Sequence, residues 1–374
     1  ILTQPLHNNY GGLLQAYALQ SYLKKTGNEV LTIDFQCSTP GLYLKFRGIL
    51  SNLYRKLILK ENIRHILPVD DIESERIAVN TNRFKRENID VTETITTLNN
   101  PSILSKYNFD AFVVGSDQVW RPIYSPGLPA FFLAFLDDNI TRRISYAASF
   151  GTDNCSEFTT TEIEEFAPLA KKFHALSVRE DSAVNLCKES FDVEAMHVIG
   201  PTMLLNKEDY ELLVNKAGIE KSQGNLMSYV LDKNPEKQKV VDKVAKELSL
   251  KPFTVMPEID GVYPPVERWL RGFMDAEYVV TDSFHGVVFS IIFNKPFMAV
   301  GNASRGLARF QSLLNMFSLT DRLVIGIADL TSENINQTID YKKINKLRAE
   351  EQKIAGDFLK SALEESDNQR ESSK

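Results

Sequence analysis

Short apolar runs of strand length alternate with helical stretches along most of this 374-residue chain. Ile1–Thr3 and the run from Glu29 to Phe35 flank a helical stretch, Gly11 to Lys25, in which Leu14, Tyr17, Ala18 and Leu23 recur near helical spacing before Gly27 stops it. The rhythm returns with Ala111–Val114, Arg143–Ala147, Ala175–Val178 and Val193–Ile199, and again with Leu226–Leu231, Phe253–Met256, Tyr278–Thr281 and Pro296–Val300. Helical patterns over Thr159–Lys172, Glu236–Leu248, Val266–Met274 and from about Gly286 lie between them. Strands joined by helical crossovers run parallel, and a parallel sheet needs helices on both faces. The pattern predicts an α/β chain of parallel sheets without a short internal repeat.

A single core stops growing at about 250–300 residues, so a 374-residue chain with 43% hydrophobic residues is expected to form two domains. The first is a Rossmann-like domain over 1–205 with a helical insertion at about 36–104; the second covers 206–330. A C-terminal helix from Tyr341 to Leu363 and a polar tail make up 331–374. The polar stretch Asn206 to Asn225 sets the boundary, and Glu364 to Lys374 is too polar to pack, which predicts disorder there. The insertion mixes Leu42, Leu44 and Phe46 with Lys45, Arg47 and Arg64. A helix with a solvated charged face is favoured there over a peripheral membrane contact.

The 43 basic and 49 acidic side chains leave a net charge of −6. That balance gives no general attraction to nucleic acid or anionic membrane, so any anion site must be local. Cys37, Cys155 and Cys187 are too far apart in sequence for a zinc site or a redox pair and point to a reducing, cytoplasmic setting. No apolar run reaches the roughly 20 residues that span a bilayer. Acidic residues are scattered and no His or Cys pair has ligand spacing, so the chain shows no metal site, a metal requirement stays open, and no cofactor is expected.

The chemistry concentrates where strands end. Thr281-Asp282-Ser283-Phe284-His285-Gly286 puts a hydroxyl, a carboxylate and an imidazole on a strand-to-helix turn, beside helix N–H groups that favour anions. The plainer reading makes Asp282 or Ser283 a helix cap and His285 a packed ring. Gly115-Ser116-Asp117-Gln118-Val119-Trp120 repeats the arrangement after Ala111–Val114. Asp117 and Gln118 suit sugar hydroxyls, while Trp120 stacks on a sugar or, the favoured reading, fills the core. Asn9 can cap the first helix, and Gly11 and Gly12 let backbone approach an anion, a weak signal that many such turns share. Arg179 ends an apolar strand and can hold a carboxylate or phosphate, or pair with Glu180 or Asp282. His7 lies on the first loop; His65, His174 and His197 have no companions.

Taken in order, the runs Asn9 to Leu19, Gly115 to Trp120, Tyr146 to Gly151, Ser177 to Glu180 and Thr281 to Gly286 resemble the polysaccharide pyruvyl transferase family, over nearly the whole chain to about Val300. The resemblance implies a GT-B-like architecture of two Rossmann-like domains with the site between them. It implies phosphoenolpyruvate as co-substrate and a glycan hydroxyl pair, free or lipid-linked, as acceptor, giving a pyruvate ketal in surface polysaccharide. It associates Arg179 and the turn carrying His285 with the donor. The chain departs from the family pattern at Ser283, where better-studied members often carry arginine, and at Gly200, where many carry aspartate.

On this reading His285 is the general acid, Asp117 or Asp282 the base, and Arg179, Ser283, Gly286, Gly11 and Gly12 face the donor. Asn9, Ser116, Gln118 and Trp120 are the acceptor-side candidates. Two other readings share the fold: a nucleotide-sugar glycosyltransferase of GT-B type, and an inactive glycan-binding relative.

Overall fold

The computed structural model describes residues 1–36, 71–125, 127–136, 141–258, 260–301 and 306–364. The basic stretch from Lys45 to Arg64, with Cys37, His65 and the tail after Glu364, lies outside the described residues.

The chain opens with helix α1 (Tyr10–Lys25), then α2 (Asp71–Ile77) and α3 (Val79–Asn88). The first sheet follows: β1 (Ala111–Val114), α4 (Leu128–Phe131), β2 (Arg142–Ala148), α5 (Thr160–Ala170), β3 (Ala175–Val178), α6 (Asp181–Phe191) and β4 (Met196–His197). Helix α7 (Lys207–Ala217) leads to the second: β5 (Leu226–Tyr229), α8 (Pro235–Leu248), β6 (Pro252–Phe253), α9 (Val266–Asp275), β7 (Tyr278–Thr281), α10 (Phe284–Ile292), β8 (Phe297–Val300), α11 (Ala308–Met316) and β9 (Leu323–Val324). Helices α12 (Ser332–Asn336) and α13 (Tyr341–Glu364) complete the described chain.

Both sheets are parallel, ordered β1-β2-β3-β4 and β6-β5-β7-β8-β9. This is the α/β organisation of two parallel sheets expected from the alternation. β1, β7 and β8 are almost wholly buried, mostly apolar runs, as strands covered on both faces must be. The predicted strands at Ile1–Thr3 and Glu29–Phe35 are shorter than expected: Leu2 pairs beside Val114 and Thr32 beside Val91 only as isolated bridges. Every residue of α10 is buried, so this helix is a core element from the start of its first turn.

Long-range contacts tie the two halves together. Tyr10 stacks on Trp269 at 5.7 Å and donates its hydroxyl to the carbonyl of Pro264. Arg83 of α3 reaches Glu267, which is buried, at 2.8 Å. Helix α13 returns over the first domain: Gln352 donates to the carbonyl of Met203, and Arg142 donates to that of Ala362. No described helix is long and apolar enough to cross a membrane.

Candidate active site

The loop after β1 is fastened before it presents a functional group. Gly115 has φ +116°, and a β-carbon on it would lie 2.3 Å from the carbonyl oxygen of Tyr146, so only glycine fits. The Gly115–Ser116 peptide bond is cis. Ser116 is fully buried: its hydroxyl donates to the Ala147 carbonyl at 2.7 Å and its N–H to Gln15 Oε1 at 3.0 Å. These bonds hold Asp117 at φ +72°, a left-handed backbone that costs roughly 1–3 kcal/mol off glycine and recurs at functional sites. Trp120 points the other way, stacked on Phe132 with its indole N–H donated to the carbonyl of Phe131. Ser116 and Trp120, acceptor-side candidates in the sequence, are both buried here, Ser116 bonded to Ala147 and Gln15 and Trp120 packed in the core, the favoured reading for that ring. Gln118 is half-buried, and its side-chain oxygen accepts from Arg121.

Arg179 leaves the end of β3 and meets Asp117, not Glu180 or Asp282. Its Nη2 lies 3.4 Å from Asp117 Oδ1, its Nε makes no hydrogen bond, and only 5% of the residue is exposed. The guanidinium lies over the Phe284 ring at 4.6 Å. Glu180 is wholly buried and accepts at Oε1 from Ser149 and the Gly151 N–H. It serves the turn after β2.

The turn after β7 divides its polar residues between two tasks. Asp282 accepts the N–H groups of Leu231 and Asp232 and pairs with Lys237 Nζ at 2.6 Å, with no exposed surface. Leu231 and Asp232 lie in the β5–α8 connection and Lys237 in the first turn of α8, so the Asp282 carboxylate is committed to that segment of the second sheet. Ser283 caps α10 by accepting the Gly286 N–H. A β-carbon on Gly286 would lie 2.2 Å from Thr281 Oγ1. The contacts shown for Ser283 and Gly286 are those of a helix start.

His285 faces the first domain. A β-carbon on Gly11 would lie 2.0 Å from its Nδ1, so the imidazole rests directly on the first turn of α1. Burial pulls the imidazole pKa down to about 4; Arg179 and Arg309 act in the same direction and Asp117 opposes them. The positive end of the α1 dipole adds to the preference for a neutral ring. Gly12 packs on its own neighbour Asn9, which is exposed and caps α1 without a side-chain hydrogen bond. His7 is half-buried beside Ser74.

The site thus joins Asp117 and Arg179 from the first sheet with Phe284 and His285 from the second. Burial alone would raise the Asp117 pKa, but Arg179, His285, Arg309 and the Gln118 N–H hold it below the ordinary carboxylate value. Arg309 was not legible in the sequence. It is buried on α11, and its guanidinium lies 5.4 Å from the Phe284 ring that Arg179 also covers. A lone basic residue in a helix without a neighbouring motif gives no local signal. Among the described residues no group of three or more His, Cys, Asp or Glu side chains is placed to hold a metal ion. A concavity of about 1190 Å³ lies elsewhere, with Lys24, Asp90, Asp110, Arg142 and His174 in its lining.

The sequence model of the polysaccharide pyruvyl transferase family matches residues 9–304. No protein of curated function matches the chain. Among solved structures, a UDP-GlcNAc 2-epimerase from Neisseria meningitidis bound to UDP-GlcNAc is similar over 97% of this chain and 99% of its own, at 9% identity and TM-score 0.47. The wall teichoic acid polymerase TagF is similar over 97% and 89%, at 11% identity and TM-score 0.44. A glycosyltransferase from Rickettsia africae ESF-5 is similar over 96% and 98%, at 12% identity and TM-score 0.41.

Proposed function

Since the chain belongs to the polysaccharide pyruvyl transferase family, we propose that it transfers an enolpyruvyl group from phosphoenolpyruvate to two hydroxyls of a glycan, forming a pyruvate ketal. The observation that carries this reading is Arg179. A buried guanidinium normally makes close, often bidentate bonds to its anion; among the described residues Arg179 meets Asp117 at 3.4 Å and its Nε has no hydrogen-bond partner. A buried cation with a long contact to its carboxylate, beside a neutral imidazole, is suited to a small, highly charged anion.

With a pKa of about 4, only roughly one His285 ring in a thousand carries a proton at pH 7 before a donor binds. An incoming donor brings negative charge against the ring and raises that fraction. His285 then protonates the donor methylene carbon, C2 becomes electrophilic, and the first sugar hydroxyl adds to it while Asp117 takes its proton. The C2–O bond to phosphate breaks, Arg179 stabilises the departing anion, and the second hydroxyl closes the ketal. Of the two hydroxyl protons released, one replaces the proton His285 gave to carbon and the other leaves with phosphate.

The test is thermal stability with phosphoenolpyruvate against UDP and GDP, because a ligand of the folded state raises the midpoint by mass action. The expected result is a shift with phosphoenolpyruvate that Arg179→Ala abolishes. A shift with a nucleotide alone would replace this reading by a nucleotide-sugar glycosyltransferase.

A further inference from the structure

We infer that Arg309 is a second donor-binding residue, so that one arginine from each domain holds the acidic groups of the donor. This rests on the pyruvyl transferase reading and adds a residue to it that no turn motif contains.

Arg179 ends β3 of the first sheet and Arg309 begins α11, which follows β8 of the second. Their guanidiniums nevertheless share one aromatic ring, at 4.6 and 5.4 Å from the Phe284 centroid, and both residues are more than nine-tenths buried. Two like charges brought together out of water repel each other, and desolvation adds to the cost. Burial first, and then Arg179, lowers the Arg309 pKa to about 10, against the pull of Asp117 and Glu180. Arg309 therefore stays charged at neutral pH. Asp117 acts on both cations and meets Arg179 at 3.4 Å, and the buried carboxylate of Glu180 also acts on Arg309. Two buried guanidiniums over one aromatic ring suit an anion with two acidic groups, as a carboxylate with a neighbouring phosphate provides.

The placement of Arg309 is fixed from one turn away. Ser312 lies three residues further on, on the same face of α11. Its hydroxyl accepts the Asp181 N–H at 3.0 Å and lies 3.2 Å from His197 Nε2, which in turn is 3.1 Å from the carbonyl oxygen of Arg179. The bond that docks α11 onto the start of α6 therefore also sets Arg309 beside Arg179. A surface arginine with a solvation role would not need this support.

The experiment is calorimetric titration of the full chain with phosphoenolpyruvate, comparing wild type, Arg309→Ala and Arg309→Lys, with thermal unfolding as a check on folding. Loss of a charge-assisted contact is expected to weaken binding by about tenfold or more in Arg309→Ala, with Arg309→Lys in between. Methylguanidinium added to Arg309→Ala is expected to restore part of the affinity, which a purely structural defect would not show. Equal binding by wild type and Arg309→Ala would overturn the inference, as would a loss without rescue by either lysine or methylguanidinium. Failure of wild type itself to bind phosphoenolpyruvate would instead overturn the donor assignment on which it rests.

Discussion

The imidazole of His285 lies on the backbone of Gly11, so closely that a β-carbon at position 11 would sit 2.0 Å from Nδ1. The two residues are 274 positions apart, one on the first helix of the chain and the other on the buried helix that follows β7 of the second sheet. Their contact brings the two sheets into a single site.

Gly11→Ala is expected to displace His285 and cut turnover by about a hundredfold, since a displacement of about 1 Å is enough for that. Alanine normally gains about 0.5–1 kcal/mol over glycine inside a helix. Here overpacking should outweigh that gain and leave a net loss of about 1–2 kcal/mol. Gly12→Ala meets only the Asn9 amide, at 3.2 Å, and should be far milder. Paired kinetics and urea unfolding check both; a stabilised, active Gly11→Ala would remove the contact from the mechanism.

The folded protein favours neutral His285, whose pKa is lowered from 6.5 to about 4. Its contribution to stability is therefore fully present above pH 6.5 and is lost as pH falls towards 4, by about 3 kcal/mol at most. Asp117 is lowered as well, so its contribution is lost only below the ordinary carboxylate pKa, in a separate and more acidic window. Unfolding free energies of wild type and His285→Gln between pH 7 and 4 should diverge in slope. Parallel curves would show that His285 is not buried neutral.

His285→Ala is expected to abolish turnover with the fold intact, as removal of the proton donor requires. Near-normal turnover in the variant would exclude His285 as the acid.

The two aspartates should separate by readout. Asp117→Asn is expected to lower turnover by roughly 10²–10⁴, the usual range for a general base. Asp282→Ala leaves Lys237 buried without its partner, which typically costs about 3–5 kcal/mol. Its effect should be on the denaturation midpoint, with turnover per folded molecule within a few-fold of wild type. The reverse pattern would exchange their roles.

Trp120→Phe removes the indole donor to Phe131 and part of the stack on Phe132. Stability should fall by about 1–3 kcal/mol while acceptor affinity is unchanged. A raised acceptor KM in a stable variant would return Trp120 to the site.

How far the sequence could be read differs from turn to turn. The strand-to-helix rhythm, the turn after each strand and the candidates Asp117, Arg179 and His285 were all visible as local patterns of apolar runs ending in polar residues. The turns could not show which polar group looks outward. Asp282 and His285 sit three residues apart on one motif, yet one bonds the β5–α8 connection and the other crosses to the first domain. Ser116 and Asp117 are adjacent, and one is spent on Ala147 while the other meets Arg179.

Local sequence determined the two parallel sheets, because hydrophobic periodicity and chain stops act over a few residues. Only tertiary structure decided that Arg309 stands beside Arg179, that Gly11 makes room for His285 and that Asp282 belongs to a buried ion pair. Those outcomes depend on which groups desolvate one another across two domains, and pairings over such sequence distances leave no local pattern to read.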